Sequence, residues 1–289
     1  MIQDIIINSL INGSIYAILA IGFSLIVGVA RIINLAHTAF TMLAAYFLYT
    51  AARYLQIPLY LSIPLSIFIV TLIGLVCYKM FIKPIQIHES TVLIATLALA
   101  MVFQEIMLII FGGYYLGIPP MLSGYTVIVG VKVNYQHILA FCVVLMVLVT
   151  VWAMLMKTKL GLAIRSTAQN QEIAILMGMD ADRVAMTAIG VSVVLAGIGG
   201  AIVAPLLTIE PRMWMHPLII IMAVIVLGGL GSIKGSFIGA FIMGFAEALV
   251  VFLVPMGSFL KGGVALSIMI AVLLFRPEGL FGIAFEGER

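Results

Sequence analysis

Four polar side chains, three of them ionisable, stand inside otherwise lipid-compatible sequence: Asn34 and His37 at the start of one apolar run, Glu105 in another and Glu247 in a third. An ionisable group at membrane depth is costly, so each is a candidate for contact with a solute or for a buried polar bond. Glu105 follows Gln104 and faces either a partner helix, a water-filled path or a buried hydrogen bond. His37 has no Cys, Asp or second His at ligand spacing, which argues against a metal site. His88, His137 and His216 fall at the ends of apolar runs, where interfacial placement is the default. No phosphate-binding G-x-x-x-x-G-K-[ST] loop, G-x-S-x-G elbow, H-E-x-x-H helix or close pair of intramembrane carboxylates occurs. Nothing in the sequence argues for catalysis or for a cofactor.

The elements that must position these groups are set by composition. Of 289 residues, 64% are hydrophobic and only 9% charged, and the mean hydropathy is +1.30. A soluble domain is roughly half apolar and about a quarter charged. The chain is expected to be an all-α, polytopic transmembrane bundle forming one domain over 1–289, with about 8–10 spans of about 20 residues. Charge-free runs place them at about 5–29, 33–52, 58–80, 91–111, 137–156, 184–208, 217–230, 235–254 and 262–275. The seventh and ninth are short, so one is a candidate re-entrant half-helix. The formal charge of +3 comes from bases scattered at the ends of apolar runs, which reads as topology and not as a nucleic-acid surface. Cys77 and Cys142 lie in apolar runs and are expected to be small buried hydrophobes.

The longest interior polar stretch is 157–183, with Lys157, Lys159, Arg165, Glu172, Asp180, Asp182 and Arg183. Within it Asn170 is a plausible N-cap, Glu172 suits a first helical turn and Gly178 a stop, which predicts a short helix of about two turns. Its face of Ile173, Ala174, Leu176 and Met177 is apolar while Gln169, Gln171 and Glu172 are polar. Such a helix either inserts into a groove on a soluble partner or lies in the headgroup region as a connector.

Lys and Arg are retained on the cytoplasmic side. If 157–183 is cytoplasmic and nine segments cross, the inside holds Arg31, Lys79, Lys83, Lys157, Lys159, Arg165, Arg183, Lys234, Arg276 and Arg289, and the outside only Arg53, Lys132, Arg212 and Lys261. Ten against four places the amino terminus outside and the carboxyl terminus inside. On the outside, 112–136 carries Gly and Pro turn signals and then β-branched residues around Gly130, which predicts a small hairpin that closes the fold or receives a partner.

Small residues at four-residue spacing, Ser236, Ala240, Gly244 and Ala248 in one segment and Ala196, Gly200 and Ala204 in another, predict close helix packing. The cluster Gly228, Gly229, Gly231 and Gly235 is too glycine-rich for a continuous helix and predicts a hinge or turn at the inner mouth.

The run 12–28 followed by Ile32–His37 resembles the opening of the branched-chain amino acid ABC transporter permeases of LivH type, in the LivH/LivM family. So do Gly161–Arg165 with Ala174 and Gly178, the cluster Gly228–Ser232, and Arg276–Gly282. The resemblance covers essentially the whole chain, in order. It implies a non-catalytic permease subunit in a bacterial inner membrane, forming half of a translocation path for branched-chain or other hydrophobic amino acids. The implied partners are a sister permease, two cytoplasmic ATP-binding subunits and an external solute-binding protein. The loop would then be a coupling element to the ATPase through Gly161, Arg165, Gln169, Glu172, Ala174 and Gly178. The family's Asn-x-Ala-His is usually followed by Gly-Asp or a similar pair, whereas Thr38, Ala39 and Phe40 stand here. If that spot lines the path, alongside Asn34, His37, Glu105 and Glu247, its lining is less polar. Urea and amides, carried by relatives, are an alternative cargo. A rival from another class is a proton-coupled secondary carrier using Glu105 or Glu247.

Overall fold

The computed structural model describes residues 1–282; Arg289, counted above among the inside cations, lies outside the described residues. The helices are α1 (Ile2–Leu25), α2 (His37–Arg53), α3 (Leu59–Cys77), α4 (Glu89–Phe111), α5 (Tyr135–Lys157), α6 (Lys159–Gln169), α7 (Gln171–Leu176), α8 (Ala181–Val203), α9 (Met215–Gly228), α10 (Ile233–Leu253) and α11 (Lys261–Phe275). The strands β1 (Tyr125–Ile128) and β2 (Val131–Asn134) form a two-stranded antiparallel ribbon. Seven helices, counted with their π and 3-10 extensions, are long and apolar enough to cross a membrane. With α2 (17 residues) and α9 (14 residues), nine helical segments make up the bundle among the described residues. The chain is thus a polytopic helical membrane protein.

The bundle has two ends. At one, the β1–β2 hairpin packs Val131 and Val133 on Ile11 of α1, so the amino terminus lies at this hairpin face. At the other, α6 and α7 form the loop between α5 and α8, and Lys83 reaches Asp182 at 2.8 Å to tie the end of α3 to the start of α8. Here too Leu280 N–H donates to the Leu227 carbonyl and Phe281 N–H to that of Gly228, which places residue 282 at the loop face.

Two cores flank α8. One gathers α2, α3 and α4 around Ile189, Val193 and Ala196, and the other gathers α1, α5, α9 and α10 around Val184, Ala188 and Leu195. The small-residue ladder of α10 is buried at Ser236, Ala240, Gly244 and Ala248, and α1 and α10 pack along most of their length. A Cβ on Gly244 would lie 2.7 Å from the Gly13 nitrogen. Only a missing side chain lets the two backbones approach so closely.

The structure departs from the expected spans where backbone needs are met by neighbours instead of by helix. The run 184–208 is not one helix: α8 stops at Val203 and an irregular segment leads to α9. That segment is secured by paired backbone bonds between Leu116 and Ile209, at 3.0 and 2.8 Å, and by the Trp214 indole donating to Gln104 Oε1 at 3.0 Å. Irregular backbone at membrane depth survives only where protein satisfies it. At 14 residues α9 is about 21 Å long, short of the roughly 30 Å hydrocarbon thickness, and is the expected shortened seventh segment. The second segment starts at His37, after an extended return in which Leu35 N–H donates to Thr96 Oγ1 and Ala36 N–H to Asn34 Oδ1, both at 3.1 Å. Cys77 is buried as expected, but Cys142 is exposed on the outer face of α5, because that helix is apolar all round and periodicity could not orient it.

Candidate functional site

The polar groups named from sequence separate into three places. Asn34, His37 and Thr38 are fully enclosed between α1, α2 and α8. The Leu19 carbonyl, which can only accept, takes the His37 Nε2 proton at 3.2 Å, and this leaves Nδ1 to accept from the Ser192 hydroxyl at 3.1 Å. The edge-to-face Phe23 ring, 5.7 Å away, completes the cage. Asn34 caps the turn into α2. Thr38 is buried with no hydrogen-bond partner for its hydroxyl among the described residues.

Glu105 lies elsewhere, on the exposed face of α4, accepting from Gln104 Nε2 at 3.1 Å. Glu247 is buried. Tyr16 donates its hydroxyl to Oε2, and Lys261 Nζ pairs with Oε1 at 2.7 Å, joining α1, α10 and α11. A buried carboxylate is tolerable only when so paired. The two carboxylates therefore do not share a site.

Beside the Glu247 cluster is a cavity of about 420 Å³, in the hairpin half of the bundle. Asn12, Tyr16, Thr41, His137, Thr208, Glu210, His216 and Lys261 are its polar lining, against an apolar wall that includes Ile15, Leu19 and Met213. Thr41 is one turn beyond Thr38 and donates to its carbonyl at 2.6 Å. The five polar positions sequence had singled out do not line this cavity; Glu247 touches it only through Tyr16 and Lys261. Glu210, flanked by Pro211 and Arg212 between two apolar runs, was the signal available and not used. A larger groove of about 640 Å³ between α3, α5 and α8 carries no charge. Its Thr71, Thr150 and Thr187 hydroxyls each donate to their own helix, at 2.7 to 2.8 Å, so no free polar group remains to orient a solute.

At the loop face the coupling candidates fall on one helical hairpin. Gly161, first-turn residue of α6, is pressed against the carbonyls of Met154 and Leu155, where no Cβ would fit. Thr158 Oγ1 accepts from Gly161 N–H at 3.0 Å. Ile164 and Thr167 turn inward, Arg165 is half-buried and Gln169 exposed. Asn170 leaves the helical conformation and its Oδ1 accepts from Ile173 N–H at 3.1 Å, ending α6 and starting α7. Glu172 is exposed in the first turn of α7, Ala174 is buried against the bundle, and Gly178 at φ +84° closes the helix. A left-handed residue at that point is the usual helix stop. Leu176 and Met177 are 85% and 76% exposed, with Ile173 and Ile175 beside them.

The glycine cluster forms a tight turn between α9 and α10, with Gly229 at φ +102° and Gly231 at φ +76°. Gly228 and Gly235 meet backbone to backbone, and Gly231 rests on Gly28.

The chain is matched by the model of the family described as branched-chain amino acid transport system / permease component, over residues 5–273. It is 27% identical to the high-affinity branched-chain amino acid transport system permease protein BraD of Pseudomonas aeruginosa, over 96% of this chain and 94% of that protein. It is 28% identical to the probable branched-chain amino acid transport permease protein LivH of Methanocaldococcus jannaschii, over 96% and 92%. The LivH permease protein of Escherichia coli is 26% identical, over 95% and 94%. Its fold is similar to that of a solved chain, "PsaBC from Streptococcus pneumoniae in complex with Fab", with a TM-score of 0.54 at 15% identity, over 96% of this chain and 97% of that one. The family model spans nearly the whole sequence, and the chain belongs to the branched-chain amino acid transport system permease family.

Proposed function

We propose that this chain is the membrane-spanning permease subunit of an ATP-driven importer for branched-chain or other apolar amino acids. It forms half of the translocation path with a sister permease. Two cytoplasmic ATP-binding subunits hydrolyse the ATP, an external solute-binding protein delivers the cargo, and the chain itself catalyses nothing. The loop face is cytoplasmic and the hairpin face external, in a bacterial inner membrane, with the amino terminus outside.

One observation carries this reading. Helix α7 is fixed at both ends by Asn170 and Gly178 and anchored by Ala174, yet it holds Ile173, Ile175, Leu176 and Met177 away from the bundle. A short, rigid helix with an uncovered apolar tip suits a groove on another protein. The tight glycine turn at the same face gives a point about which α9 and α10 could pivot as the ATPases close. The proton-coupled alternative loses ground, because Glu247 is neutralised by Lys261 and Glu105 faces outward.

Replacing Leu176 and Met177 together by Glu touches no buried side chain. In proteoliposomes holding the complete transporter, this variant should lose ATP-driven L-leucine uptake and fail to retain the ATP-binding subunits on purification. Wild-type uptake with the subunits still bound would refute the docking role.

A further inference from the structure

The hairpin-half cavity carries chemistry that the docking argument does not use. We propose that it is a seat for a zwitterionic α-amino acid within the permease itself, with Glu210 receiving the ammonium group and Lys261 with His216 receiving the carboxylate. This rests on the importer reading and adds a second recognition step after delivery.

The cavity's volume, about 420 Å³, falls in the range of small-molecule sites, roughly 300–1,000 Å³. Such sites combine an apolar wall with a few convergent polar groups, and here the polar groups have opposite sign. Glu210 lines the cavity half-buried and has no salt bridge or side-chain hydrogen bond among the described residues. Lys261 also lines it. Its ammonium stands 2.7 Å from Glu247 Oε1 as an ion pair, and Tyr16 supplies the hydrogen-bond donor to Oε2. With the Glu247 charge met in this way, the ammonium keeps donors for a ligand carboxylate, and the His216 imidazole beside it adds another. A monocation or a monoanion would satisfy only one pole and leave the other desolvated, which is how buried polar groups reject an incomplete ligand. The wall of Ile15, Leu19 and Met213 offers an aliphatic side chain the environment it needs.

The test uses the complete transporter in nanodiscs without the solute-binding protein, and reads displacement of tritiated L-leucine. Competitors are unlabelled L-leucine, 4-methylpentanoate, which lacks the ammonium, and 3-methylbutylamine, which lacks the carboxylate. The wild type should prefer L-leucine at least tenfold over either. Glu210→Gln, which removes a charge without breaking any bond in the fold, should weaken L-leucine at least tenfold and leave 4-methylpentanoate unchanged. Glu89→Gln, an equal loss of charge on the exposed end of α4, should change nothing. If the wild type imports L-leucine with its binding protein but Glu210→Gln binds it as the wild type does, or the wild type shows no binding in nanodiscs, the seat is overturned and the importer reading stands. If the wild type imports no amino acid at all, both fall.

Discussion

The start of α2 and the tip of α7 both mix polar and apolar residues, and the protein treats them oppositely. At α2, His37 is bound through both ring nitrogens and Asn34 caps its own turn, so that the neighbourhood is closed to anything from outside. At α7 the backbone is equally well secured, by Asn170 and Gly178, while the apolar side chains are left without cover. Polar residues at membrane depth are thus no sure mark of a functional surface in this chain. What distinguishes α7 is apolar area left uncovered after the fold is complete.

Substitutions that break buried polar pairs should damage stability first. Lys261→Met would strand the buried Glu247 carboxylate, a loss of about 3 kcal/mol at the lower end for a broken buried pair because Lys261 is partly exposed. The purified chain should melt markedly earlier, and Glu247→Gln added to Lys261→Met should recover much of the loss. A double variant no better than the single would show that the pair is not what holds α10 to α11. His37→Leu follows, at roughly 2 kcal/mol, since it leaves the buried Ser192 hydroxyl without its partner. Its signature should be a lower melting temperature with ATP-binding subunits still retained. Retention lost at full stability would make the α2 start a docking determinant after all and dissolve the contrast. Asn170→Ala is smallest, about 1 kcal/mol for a lost N-cap. It should raise amide exchange across 171–177 and leave melting of the bundle unchanged; unaltered exchange would mean that the cap is not what fixes α7.

Much of this was legible in the sequence where the determinants are local. The α7 cap and stop, the β1–β2 hairpin and the α10 ladder each depend on residues a few positions apart, and each was found. The orientation of Glu105 and Cys142 was not, because α4 and α5 are apolar on every side and no stripe marks the inward face. The break after Val203 was hidden inside a continuous apolar run, since its backbone is satisfied by Leu116 and its Trp214 indole by Gln104, both from distant segments. The cavity was missed for the same reason: Tyr16, Thr41, Glu210, His216 and Lys261 come from four helices and a loop, and only the tertiary fold gathers them.

The central claim is that α7 meets an ATP-binding subunit, and contact itself is the most direct test. A photoreactive amino acid would be placed at Leu176 in the complete transporter, with one at the also strongly exposed Leu274 of α11 for comparison. The account predicts an adduct with the ATP-binding subunit from position 176 and none from 274. Adducts from position 176 with lipid alone would contradict it, and would make α7 a membrane-surface connector.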